Sequence, residues 1–169
     1  GKVDYGNYIF FHFIIFFGLL LNFGINKIVT IEIAKNKNIS KIIKQSINIS
    51  ILLSSLVFIL GIILSYFSKN FFYFSTITFG LCTTVLYLTF DGILQGLKKF
   101  KSLSVSNFIF YTISLNLPSI SLIYQNNSFE TLIIFSIIIK IFALFICVNT
   151  LQIYVKEKIV SNYNFFDKI

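Results

Sequence analysis

Arginine, tryptophan and methionine are missing from these 169 residues, and the chain holds one histidine, one proline and two cysteines. One histidine with two cysteines, and no Cys-x-x-C, leaves no spacing for a metal site. Cys82 and Cys147 lie deep in apolar runs, where a cysteine is a small packing residue. Acids are scarce as well, six in all and mostly between the apolar runs. No Ser-His-Asp arrangement, no pair of carboxylates at useful spacing and no phosphate-cradling glycine loop is present. Neither an enzymatic activity nor a cofactor is expected. The lack of Arg, Trp and Met beside abundant Ile, Lys, Asn and Phe fits an AT-rich coding bias and carries no chemistry.

Charge is also low. Only 12% of residues are charged, against roughly 25% in soluble domains. With 22 Phe, 9 Tyr and a mean hydropathy of +0.86, a soluble core of this size could not hide the apolar surface. The composition is that of a membrane protein. Its net charge of +8 comes from lysine alone. Nucleic-acid binding would need a basic face on a soluble fold, whereas these lysines stand mostly between apolar runs, so no nucleic-acid partner is expected.

The expected fold is all-α. A helix needs about 20 apolar residues to cross the hydrocarbon core, and five stretches qualify, at about 7–26, 46–67, 71–90, 105–124 and 131–154. Their apolar runs are continuous rather than alternating, which excludes barrel strands. Eleven lysines fall in the segments 27–45 and 91–104 and the tail 155–169, against Lys2 and Lys69 on the other side. By the positive-inside rule the lysine-rich loops are cytoplasmic and the N-terminus external. The start carries no signal-peptide pattern, so an external N-terminus suggests a segment of a longer protein. Within 27–45 the first helix can continue until N-K-N at 36–38 breaks it, with Asn38 or Ser40 capping the next. The stretch F-D-G-I-L-Q-G-L-K-K-F-K-S (90–102) reads as a cytoplasmic connection, with Asp91 and Gly92 ending the third span.

Polar and small residues interrupt the spans at helical spacing: Asn107, Tyr111, Ser114, Pro118 and Ser121 on the fourth, and Ser136, Lys140, Ala143, Cys147, Thr150 and Tyr154 on the fifth. Such stripes serve close helix contact or line a watery cavity, and Asn, Tyr and Lys are larger than close contact needs. The second span's stripe of Ser46, Ser50, Ser54, Gly61 and Ser65 needs no more than packing. Lys140 stands about ten residues into its span, near the bilayer midplane, where a lysine costs roughly 2.5–3.5 kcal/mol and rarely faces lipid. It is a candidate ligand for an anion, or the partner of an acid from elsewhere. His12 is a candidate cavity residue whose simpler reading is an interhelical hydrogen bond. Asn22 and Asn116 are amides that either bind sugar hydroxyls or bridge helices. Pro118 is expected to kink its helix.

The opening D-Y-G-N-Y (4–8), the span end L-N-F-G-I-N (21–26), the basic segment after it and L-Q-G-L-K-K-F (94–100) together resemble the Wzx-type polysaccharide flippases of the multidrug/oligosaccharidyl-lipid/polysaccharide exporter superfamily. The resemblance implies that the five spans are helices two to six of a twelve-helix protein built from two six-helix bundles. It also implies translocation of a lipid-linked oligosaccharide, an O-antigen or capsule unit on an undecaprenyl pyrophosphate type of carrier, across the bacterial inner membrane by alternating access. Lys140 would then meet the carrier pyrophosphate. Polysaccharide assembly proteins and membrane lipids are the implied partners. Asn22 stands where many members have an acid, so a coupling role for that position does not carry over. Two alternatives are a multidrug exporter of the same superfamily and a small membrane scaffold with no transport pathway.

Overall fold

The computed structural model describes the backbone of residues 2–35, 38–67, 71–125 and 129–166, and side chains within 6–35, 38–67, 71–120 and 130–155. Lys37, Lys69, Lys168 and residues 126–128, together with the side chains of Lys2, Lys156 and Lys158, lie outside the described residues. All regular structure among the described residues is helical: α1 (Lys2–Phe16), α2 (Gly18–Leu21), α3 (Ile25–Lys35), α4 (Ile39–Phe67), α5 (Phe71–Gly96), α6 (Phe100–Asn107), a π-helical stretch (Phe108–Ile113), α7 (Ser114–Gln125) and α8 (Phe129–Phe166). Among the described residues, three helices are long and apolar enough to cross a membrane: α4, α5 and the 130–155 part of α8. A fourth crossing is added if the bent pair Gly6–Leu21 and Ile25–Lys35 counts as one.

Against the five expected spans, 46–67, 71–90 and 131–154 each fall inside one continuous helix. The stretch 7–26 does not. Its chain turns by 45° between Leu21 and Ile25, where Phe23 (φ 50°) and Gly24 (φ 72°) take left-handed backbone. Glycine adopts that conformation freely and phenylalanine does not. The stretch 105–124 is divided among α6, the π-helical residues and α7, none of which reaches crossing length by itself.

The lysine-rich segment 27–45 is no continuous loop: as its sequence suggests, helix extends into it and the next helix begins at Ile39. Residues 27–35 belong to α3, and the Asn38 carbonyl accepts from the Lys41 and Ile42 amides of α4 at 3.2 and 3.3 Å. Asp91 and Gly92 do not end a helix. The α5 helix runs on to Gly96 and closes around Lys98 (φ 58°): the Lys99 amide donates to Leu94 O and the Lys98 amide to Gln95 O, both at 3.0 Å. That is a Schellman end with lysine in the usual glycine place. What joins α5 to α6 is therefore a turn at residues 97–99, and the backbone of α8 stays helical into the tail as far as Phe166.

The bundle is built around α5, which packs against α1, α2, α3, α4, α6 and α8. One apolar cluster gathers Val29, Ile33, Tyr87, Ile93, Leu94, Phe110 and Cys147, and a second gathers Tyr8, Phe11, Ile15, Leu132 and Ile133. Burial drives this arrangement less than fit does, because large apolar side chains also cover much of the outside. Ser46, Ser50 and Ser54 are buried on α4 facing the bundle. Small residues of that kind allow close helix approach.

Candidate functional site

The polar residues of α1, α7 and α8 converge at the junction of the two clusters. Pro118 explains how α1 and α7 meet. Lacking an amide hydrogen, it leaves the Ser114 carbonyl, four residues back, without its helical donor. The Tyr8 hydroxyl of α1 donates to that carbonyl at 3.0 Å and to Leu115 O at 3.1 Å. Removing only the hydroxyl, in Tyr8→Phe, is expected to lower stability by about 1–3 kcal/mol. Thermal unfolding in detergent is the measurement, and an unchanged transition would mean that the freed carbonyl finds another donor.

One turn along α1 from Tyr8, the His12 Nε2 lies 3.1 Å from the Ser136 hydroxyl of α8, with either partner able to donate. The His12 ring stands edge-on to Tyr8, centroids 4.6 Å apart. Lys140, one further turn along α8, is 4% exposed. Its Nζ sits 5.4 Å from the centroid of the Phe110 ring, within cation–π range. Phe110 in turn stacks on Tyr87 of α5, with centroids 3.8 Å apart and planes 6° from parallel. The Tyr87 hydroxyl donates to Asn107 Oδ1 at 2.7 Å and to Ser106 Oγ at 3.2 Å. Among the described residues no carboxylate pairs with Lys140.

Lys140 and His12 share a cavity of about 250 Å³ whose other walls include Thr84, Phe110, Tyr111 and Ser114. Two of those hydroxyls are already spent on their own helices, Thr84 on Gly80 O and Ser114 on Phe110 O. The ammonium is the strongest donor left in the space. An anion is what such a cavity can hold.

The four sequence candidates thus separate. Lys140 and His12 come together. Asn22 does not join them: buried where α2 meets α5, its amide donates to Val85 O at 3.4 Å and to Thr89 Oγ1 at 3.3 Å, while its Oδ1 accepts from the Asn26 amide at 3.1 Å. Its amide nitrogen and its oxygen are both engaged at the bend, so Asn22 bridges helices here. Asn116 is exposed and donates to Thr112 O of its own helix at 2.9 Å. It lies two residues from both Ser114 and Pro118, about half a turn away from the inward face, and is no cavity residue here. Tyr111 and Ser114 of the stripe do line the cavity. Phe110 escaped sequence reading because nothing separates it from the other phenylalanines. The Tyr8 contact was detectable in principle, since an interior proline demands a foreign donor four residues upstream. Among the described residues no group of three His, Cys, Asp or Glu side chains could hold a metal ion.

No family model, curated protein or solved structure matches this chain.

Proposed function

We propose that this chain is part of a membrane transporter of the Wzx flippase kind, with its lysine-rich segments at the cytoplasmic face and five passages through the bacterial inner membrane. In this reading it moves a lipid-linked oligosaccharide between leaflets, and Lys140 holds the carrier's pyrophosphate. One observation carries the reading: a buried ammonium, unpaired with any carboxylate among the described residues, opens into a cavity shared with His12. Ligand pockets commonly span 300–1,000 Å³. At about 250 Å³ this one suits the charged linkage rather than a sugar repeat, which would lie between this bundle and its counterpart. The short motifs around 4–8, 21–26 and 94–100 support the same family. A multidrug exporter is the second reading. The aromatic walls of Phe110 and Tyr111 favour it, but a cationic drug would meet the Lys140 charge.

The test replaces Lys140 by Ala and by Arg in the complete protein and follows surface glycan in cells that depend on it. Losing a buried charge contact of at least 2 kcal/mol corresponds to roughly a thirtyfold loss of export. Lys140→Ala should show that loss, and Lys140→Arg should keep part of the activity. Full export by Lys140→Ala at normal membrane abundance would remove the residue from the mechanism.

A further inference from the structure

The helices α4 and α8 both pack on α5, yet among the described residues they bring no Cα atoms within 8 Å of each other. The furrow between them holds two cavities at different depths. One, of about 430 Å³, is edged by Ser40, Lys44 and Asn48 of α4 and by Gln152 of α8, over a floor that includes Ile43 and Leu151. The other, of about 480 Å³, lies between the opposite ends of the same helices. Phe58, Ile62, Phe79, Ile134 and Ile138 help to line it, and it has no charged residue.

Ser40, Lys44 and Asn48 recur every four residues, so they stand in one row along α4, and all three are exposed. Lys44 is also where the uncharged run of α4 stops: no charged residue follows it before Lys69. On α8 the uncharged run from Lys140 ends at Lys156, just past Gln152 and Val155. The first cavity therefore sits where both apolar runs give way to lysine. It offers an ammonium, a hydroxyl and two amides at the rim and isoleucine and leucine below. Lys41, exposed one turn before Lys44, adds positive charge at the same end.

We propose that this furrow binds an anionic phospholipid, with the headgroup phosphate on Lys44, Asn48 and Gln152 and an acyl chain along Ile43, Ile47 and Leu151. The inference rests on the chain lying in a bilayer and not on the substrate proposed above. Charge complementarity selects the lipid: basic pockets between membrane helices at the lysine-rich side take anionic headgroups, and the uncharged second cavity gives an internal contrast. A second copy of the chain would not need a polar, cationic rim set above an apolar floor.

Because the chain has no tryptophan, Val155→Trp, at an exposed position that lines the first cavity and is assigned to neither headgroup nor acyl chain, places a single indole at its edge. The full chain carrying it is reconstituted in vesicles, and its quenching by brominated phosphatidylglycerol is compared with quenching by brominated phosphatidylcholine. The expected result is a roughly fivefold preference for phosphatidylglycerol, the factor of one well-placed lysine. Adding Lys44→Glu or Lys44→Gln should bring the two lipids to parity, whereas Lys101→Glu should leave the preference in place. Lys44 and Lys101 are both exposed, so helicity should be unchanged and is checked by circular dichroism. Phe108→Trp, an exposed site outside the furrow, should show no preference in an otherwise unaltered chain. Parity in the parent, a preference that survives Lys44→Glu, or an equal loss with Lys101→Glu overturns the proposal, the last by assigning the effect to diffuse surface charge.

Discussion

Gly92→Ala should cost this bundle about 3 kcal/mol or more, at the upper end of overpacking penalties. A β-carbon there would lie 2.4 Å from Asn26 O and 2.7 Å from Asn26 Cα. Those are backbone atoms of the first turn of α3, which cannot swing aside as a side chain does. The contact is also hydrogen-bonded: the Thr30 hydroxyl donates to Gly92 O at 2.9 Å and to Asn26 O at 2.8 Å. Moving α3 outward to admit a methyl group would break the first of these bonds and uncover Val29 and Ile33. Gly6→Ala is the matched control, because a β-carbon at Gly6 meets nothing within 4 Å. Thermal unfolding of both variants in one detergent decides the matter, and equal midpoints would mean that α3 does not hold its place against α5.

The second large effect runs the other way. Lys140→Met is expected to stabilise the bundle by about 1–2 kcal/mol. Holding a lysine at the centre of a membrane helix costs roughly 2.5–3.5 kcal/mol, and a cation–π contact returns about 0.5–2 kcal/mol. Methionine keeps the unbranched stem and gives up the charge. Its thermal midpoint should rise when no anion is present, and under the function proposed above glycan export by the complete protein should fall. A lower midpoint would show that the ammonium is a structural tie, and the cavity would lose its claim to a ligand.

The two predictions also mark what could be read from residues alone. Mostly apolar runs of about twenty residues announced α4, α5 and most of α8, because a helix in lipid has few other ways to satisfy its backbone. Lys140 was visible for the same reason, as one charge in the middle of such a run. The stretch around Asp91 misled. Its aspartate and glycines are breaker signals, but Gly92 and Gly96 stand four apart and admit α3 against α5, so tertiary contact overrode the local signal. Asp91 itself is buried: Oδ2 accepts from Gln95 Nε2 at 2.8 Å, and among the described residues Oδ1 meets no donor in hydrogen-bonding geometry. The bend at Phe23 and Gly24 and the π-helical residues 108–113 depend on how neighbouring helices meet, which periodicity does not encode. The union of His12 with Ser136 spans 124 positions and has no local signature. Asn116, read as an amide that binds sugar or bridges helices, is exposed because it stands off the inward row of Ser114 and Pro118.

The distribution of grease has a consequence for biogenesis. The most enclosed of the long helices, α5, is 72% buried over its apolar window and has a mean hydropathy of 1.6, whereas α4 is 11% buried with a value of 2.6. Partitioning into lipid rewards α4 alone far more than α5, whose five threonines from residue 76 to residue 89 dilute its apolar content. Synthesis delivers them in the useful order. The greasy helix comes first, and its weaker neighbour begins four positions after it ends, so α5 reaches the bilayer with a partner already waiting for its least lipid-soluble face.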